Sequence, residues 1–268
     1  MKLSKILKQN ILEPGRFFKA CGLSPFAWRR IKNLPRYQKG QVSLWESDWE
    51  FVDARTLLAG LKEIYLDKCL QFNAKNDAPR IIDCGANIGL SVLYFKKLYP
   101  QAEITAFEAD PIIFATLAKN IKGAKLSGVK IINRAVWDSN ETLEFRSEGG
   151  FSGRVRINQE PGDLISVKGA RLKDYLKEKV DFLKIDIEGA EGRVLKDCAD
   201  KLTNVELIFF EYHSPLGEPQ KLSEILKILN SAGYRYYLTE AYIPDNPFLG
   251  RPTLDGMDLQ LNIYCIRN

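Results

Sequence analysis

The stretch Ile81-Ile82-Asp83-Cys84-Gly85-Ala86-Asn87-Ile88-Gly89-Leu90 decides the fold. Arg80–Cys84 is a short apolar run, and Ile88–Tyr99 carries a helical apolar pattern. A strand passing through a glycine turn into a helix opens an α/β sheet, and such sheets bind ligands at the strands' carboxyl ends. Asp83, Gly85, Asn87 and Gly89 fall at that place. Glycine there lets backbone N–H groups come close to a ligand. A dinucleotide turn reads G-x-G-x-x-G. Here the spacing is D-x-G-x-x-x-G, with Asn87 and Ile88 inside the turn. Nothing clears room for a pyrophosphate, so the spacing favours a cofactor without phosphates and disfavours an oxidoreductase.

Moving outward, short apolar runs keep alternating with helical segments. Glu103–Phe107 precedes Pro111–Ile121, Val129–Val136 follows, Asp181–Ile185 precedes Ala190–Cys198, and Val205–Glu211 precedes Lys221–Ala232. That alternation predicts a largely parallel sheet covered by helices. Tyr234–Thr239 and Leu259–Ile266 have no helix between them, which suits an antiparallel pair at or near a sheet edge. Between Asp138 and Ala170 the alternation breaks. Thr142–Phe145 reads as a strand, and Ser147–Gly153 is rich in glycine and serine, as in a surface hairpin or an insertion over the site.

Residues 1–79 read as helices and loops, an N-terminal helical extension to a domain spanning 80–268. Leu3, Ile6, Leu7 and Ile11 share one helical face with Lys2, Lys5 and Lys8 off it. A second helix is predicted over about Asp53–Phe72.

The chain has 268 residues, enough for one sizeable core and a small extension. No run of about 18 apolar residues occurs, so no spanning helix is predicted. The five cysteines are scattered and odd in number, which argues for buried thiols in a reducing cytoplasm. Residues 1–40 hold ten Lys or Arg and one acid, so about +9 of the net +5, leaving about −4 for the rest. A domain without basic excess argues against a nucleic-acid partner. The basic helix within residues 1–20 suits peripheral contact with the inner membrane surface, or simply packing on the domain.

Two further acids stand where a nucleoside would need them. Glu108 ends the second strand, 23 residues after Gly85, close to where a ribose-binding carboxylate is expected. Asp138 ends the third, placed to accept from an adenine amino group beside Val136, or to serve as a turn residue.

Taken in order, DCGANIGLSVLYF, AFEADP, NRAVWD, LKIDIEGAE and FFEYH resemble the FkbM-like family of S-adenosylmethionine-dependent methyltransferases over about residues 80–268. LKIDIEGAE is the most specific of them. The resemblance implies a Rossmann-like class I methyltransferase sheet of seven strands, the last antiparallel. It implies S-adenosylmethionine as cofactor and O-methylation, commonly of sugar or polyketide hydroxyls. It makes Asp83, Gly85, Asn87, Glu108 and Asp138 cofactor contacts.

An alcohol is about as weak an acid as water, with a pKa of about 15.7, so transfer to it needs a positioned base or a metal. Asp186, Glu188 and Glu191 follow one strand, and Glu211, Tyr212 and His213 end its neighbour. Adjacent strands would bring Asp186, Glu211 and the sole histidine, His213, to one rim, with Asp186 near the donor's methionine end. The three side chains suit a divalent cation such as Mg2+, or His213 is a direct base oriented by Glu211. Glu188 and Glu191 also suit a helix's first turn. The expected partner is a small-molecule or glycan acceptor. The competing readings are N- or C-methylation, or a cofactor-binding sensor without turnover.

Overall fold

The computed structural model describes residues 14–45, 47–146, 154–155 and 164–267. Residues 1–13, most of the 147–163 segment and the sequence reading placed on them lie outside the described residues. The described chain opens with α1 (Pro14–Cys21) and α2 (Pro25–Ile31). A hairpin of β1 (Gly40–Leu44) and β2 (Ser47–Phe51) follows. This corrects the expectation of helices and loops alone. Val42, Leu44, Trp49 and Phe51 are buried while their neighbours are not, the period-two pattern of a half-buried strand. Next come α3 (Ala54–Leu61), capped by the Asp53 carboxylate, and a π-helical turn over Lys62–Leu66. The helix therefore stops short of the predicted Phe72.

The main sheet is built from β3 (Arg80–Cys84), β4 (Glu103–Phe107), β5 (Val129–Ile132), β10 (Val180–Ile185), β11 (Val205–Pro215), β12 (Tyr234–Tyr242) and β13 (Met257–Arg267). Its order is β12-β13-β11-β10-β3-β4-β5. Pairing is parallel from β5 to β11, and β13 runs antiparallel between β11 and β12. The seven strands and the reversed last strand are those of a Rossmann-like class I methyltransferase sheet. Helices α4 (Leu90–Leu98), α5 (Pro111–Gly123), α6 (Glu191–Asp197) and α7 (Leu222–Ser231) join the strands. The third predicted strand is broken at Asn133-Arg134: β6 (Ala135–Trp137) leaves the main sheet and pairs with β9 (Leu164–Arg171). β9 also pairs with β7 (Thr142–Arg146), and β7 with the short β8 (Arg154–Val155). Its Trp137, Leu143, Phe145 and Val167 pack with Ala109, Ile187 and Ala190.

One apolar cluster runs across residue 80. It joins Leu44, Trp49, Phe51, Leu57 and Leu61 to Ile81, Phe95, Ile104 and Leu117. Asn120 on α5 fastens the two parts. Its side-chain oxygen accepts from Glu50 N, and its amide donates to the Glu50 and Ile88 carbonyls, all within 2.8–2.9 Å. The N-terminal hairpin is thus tied directly to the glycine turn.

Candidate active site

The glycine turn is stitched to both neighbouring strands. Gly85 and Ala86 donate backbone N–H bonds to Phe107 O, and Asp186 N donates to Cys84 O. Gly85 has φ +89, and a Cβ there would sit 2.0 Å from the Asp186 carbonyl oxygen, so only glycine fits. Gly89, at φ +95, meets Leu117 Cδ1 at 2.7 Å when given a Cβ. It is needed for packing of α4's start and does not line the cavity.

Beside this turn lies a cleft of about 1110 Å3, open to solvent. One end is walled by Phe107, Ile113, Val136 and Phe145, with Glu108 among them. Glu108 is 8% exposed and accepts from Asn87 N at 2.9 Å and Asp110 N at 2.9 Å, one bond to each oxygen. Each carboxylate oxygen keeps a second lone pair, which suits a pair of ribose hydroxyls. Burial pushes its pKa up to about 7, although the backbone N–H bonds oppose the rise. Asn87, at φ +49, closes a turn through its own side chain onto Ile88 N.

Asp83 and Asp138 fall elsewhere than predicted. Asp83 is fully buried behind the turn, where it accepts from Ser91 Oγ at 2.5 Å and faces Lys184 Nζ at 3.3 Å. It holds the turn from behind. Asp138 is off the cavity wall and accepts from Arg193 Nε at 2.6 Å, with the guanidinium over Trp137. Val136 lines the cavity, whereas Asp138, two residues on, pairs with Arg193 on α6. Only its Oδ2 is engaged by Arg193, while its Oδ1 is buried without a hydrogen-bond partner.

The other end of the cleft is charged. Lys184, Asp186, Glu188 and Glu211 line it, together with Glu63 from the π turn. Lys184 Nζ donates to Gly85 O at 2.9 Å and pairs with Asp83 and Asp186, each at 3.3 Å. Burial disfavours its charge, but the two aspartates hold its pKa above the ordinary lysine range. Asp186, Glu211 and His213 each bring one ligand atom within 4.8 Å of the others. The strand pairing of β10 with β11 is what gathers them.

His213 is buried just behind the cavity wall. Its Nδ1 lies 3.0 Å from Glu191 Oε1, and its Nε2 faces Glu211 at 3.5 Å and Glu188 at 3.6 Å. Burial alone would lower its pKa, yet Glu188 and Glu191 carry it well above the ordinary histidine value. Glu191 is not only a first-turn acid. It is 1% exposed and also accepts from Ile187 N and Gly189 N, fixing the turn and the imidazole together. Burial and the surrounding acids raise the Glu211 pKa well above the carboxylate range, although His213 opposes this.

Lys184, Glu63 and Arg134 escaped the sequence reading. Glu63 had no local signal, because it sits inside a helical apolar pattern far from every motif. Arg134 lines the cavity at the β5–β6 break, which was read as continuous strand.

A parallel sheet with one reversed strand, and a non-dinucleotide glycine turn facing a buried acid, define an S-adenosylmethionine-dependent methyltransferase. The chain belongs to the methyltransferase FkbM domain family, whose model matches residues 83–236, more than half of its length. It is 33% identical over 203 residues to methyltransferase sdnD of Sordaria araneosa, covering 62% of this chain and 78% of that protein. It is 29% identical to the 2-O-methyltransferase NoeI of Sinorhizobium fredii, covering 50% of this chain and 63% of NoeI. It is 26% identical to the 31-O-demethyl-FK506 methyltransferase FkbM of Streptomyces tacrolimicus, covering 65% and 80%. The solved structure of Pyrococcus horikoshii PH0793 shares the fold, with a TM-score of 0.50 and 13% identity over 87% of this chain and 73% of that one. No helix among the described residues is long and apolar enough to cross a membrane.

Proposed function

We propose that this chain methylates a hydroxyl of a sugar, glycan or related small metabolite. The observation that carries the reading is the charged end of the cleft. Asp186 and Glu211 converge there with His213 behind them, directly beyond the cofactor turn. A protein that only sensed the cofactor would need no such cluster. Two relatives bear names that specify oxygen methylation.

Gly85, Asn87, Glu108 and Asp186 would hold S-adenosylmethionine, which supplies a methyl group already attached to a good leaving group. The chain's own work is then orientation and proton management. Glu108 and the turn fix the nucleoside end. Lys184 ties Asp186 to the turn, so the acid that faces the acceptor moves with the cofactor site.

Asp186, Glu211 and His213 would also hold a divalent cation such as Mg2+, which would make an acceptor hydroxyl more acidic. The donor set fits. Two carboxylate oxygens and an imidazole nitrogen converge, and the other ring nitrogen is already engaged by Glu191. Metal-binding histidines are usually oriented by such a carboxylate.

The test is product analysis with isotopically labelled S-adenosylmethionine and a panel of glycosides, polyols and amines, with and without chelator. The expected label is an O-methyl ether lost on chelation. A label on nitrogen or carbon refutes the acceptor class. Full turnover after chelation refutes the cation.

We further propose that the N-terminal block rests on an anionic lipid surface. Residues 14–45 hold seven Lys or Arg and no acid, and Phe26 at the start of α2 is 78% exposed beside Arg29 and Arg30. Flotation with anionic vesicles and absence from neutral ones is the expected result. Equal recovery from both, or from neither, refutes it.

A further inference from the structure

The main sheet has two edges, and they are finished differently. β5 is four residues long, its Lys130 is exposed and its other residues are half-buried. A short edge strand carrying a lysine is a common guard against pairing with another chain. β12 is nine residues long and pairs with β13 alone among the described residues. Its free side presents a row of backbone N–H and C=O groups. Its charges, Arg235 and Glu240, stand toward the ends and leave the middle unguarded. There Tyr236, Tyr237 and Leu238 are 37–53% exposed. Side chains alternate along a strand, so Tyr236 and Leu238 stand on one face and Tyr237 on the other. Ile266, paired with Arg235 and so on the Tyr237 face, is exposed as well. Apolar groups therefore flank the free backbone on both faces.

The sequence of β12 matches itself. Its pairing with β13 is regular from Tyr234 to Glu240 and shifts only beyond Glu240. Tyr237 is the midpoint of that stretch. Two copies related by a two-fold axis through Tyr237 would pair antiparallel over all of it, the same patch set against itself. Tyr237 then faces Tyr237 of the second copy, Tyr236 faces Leu238, and Arg235 faces Thr239. Opposed aromatic and aliphatic side chains stabilise such pairs. Arg235 also lies diagonally across from the second Tyr237, within reach of a cation–π contact. No like charges meet. A parallel alignment would set Arg235 beside Arg235 and Glu240 beside Glu240, which is destabilising.

We infer that β12 is the interface of a homodimer, in which two main sheets join edge to edge and antiparallel about a dyad at Tyr237. β13 is antiparallel to both β11 and β12, so β12 runs in the direction of β11. The dyad reverses that direction. The two clefts therefore open at opposite ends of the joined sheet, and neither covers the other. Dimer formation is expected to leave cofactor binding unchanged. The inference depends on neither the cation nor the acceptor.

The experiment is sedimentation equilibrium of the full-length protein over micromolar concentrations. The wild type is expected to be a dimer. Tyr237→Lys and Tyr237→Glu should each raise the dimer dissociation constant by about 100-fold or more, because each sets two like charges at the dyad. Their equimolar mixture should recover the dimer, because opposite charges then meet. Unchanged S-adenosylhomocysteine affinity in both is the check on folding. Amide hydrogen exchange of the wild type should slow across Tyr234–Glu240 as concentration rises through the dissociation constant, a readout that needs no variant. A monomeric wild type overturns the inference. So does a dimer that both variants keep, a mixture that stays monomeric, an assembly that grows beyond two chains, or exchange across β12 that ignores concentration.

Discussion

The two ends of the cleft are built in different ways. The nucleoside end comes from a short stretch of chain, from Gly85 to Ile113, with Val136 and Phe145 added as walls. Its turn is held by its own backbone N–H groups, bonded to Phe107 O, Glu108 and Asn87, and its one acid is Glu108. The charged end draws Glu63, Lys184, Asp186, Glu188 and Glu211 from three places in the sequence, with His213 and Asn262 behind. The first end is preorganised by local structure. The second depends on strand pairing and on the docking of the N-terminal block. One end can therefore be altered with little effect on the other, except where Gly85 joins them.

The largest expected break is chemical. Glu211→Gln should cut turnover by about 100-fold or more, with S-adenosylhomocysteine affinity held within about threefold. Single-turnover kinetics beside calorimetry will separate the two effects, and a parallel loss of both would erase the distinction between the ends. Gly85→Ala should damage both ends at once. Its Cβ would strike the Asp186 carbonyl at 2.0 Å, so a loss of about 3 kcal/mol in stability is expected. Denaturant unfolding will measure it.

Glu108→Gln should weaken S-adenosylhomocysteine about tenfold without moving Mn2+ binding. The pH dependence has a defined sign. Glu108 titrates in the fold at about 7, above its ordinary value. It thus favours the folded apo-protein most below its unfolded pKa, and that contribution is lost as pH rises through about 7. Cofactor affinity should move the other way, rising over the same window as the carboxylate ionises and gains acceptor capacity. Glu108→Gln should flatten that slope. The smallest effect is expected at Asp138→Asn, which removes a pairing to Arg193 outside the cavity and should leave cofactor affinity within about twofold. A tenfold loss there would restore the adenine role.

What could be read in the sequence follows the same division. The turn at Asp83–Gly89 and Glu108 were legible because strand periodicity and glycine spacing are local properties. Asp138 was legible as a strand end, but its pairing with Arg193 was not, because the break at Asn133-Arg134 carries β6 into another sheet. The β1–β2 hairpin went unread because its five-residue strands have a pattern too short to stand out beside the neighbouring helices. Asp186, Glu211 and His213 were legible as a set because both segments end adjacent strands. Their charge states were not, since Glu188 and Glu191 reach His213 only after the turn at Glu188-Gly189 closes with both residues at positive φ.

By itself the sequence determined the alternating sheet, the family and the cofactor class, because periodicity, turn residues and short motifs act over neighbouring positions. Only the tertiary structure decided which acids face one another. Glu63 and Asn262 are 199 residues apart, and no local rule couples them. Their meeting depends on a hairpin buried against α5 and on a reversed strand inserted beside β11. Burial then changes what the acids of the cleft are, from solvated charges into groups that need a partner.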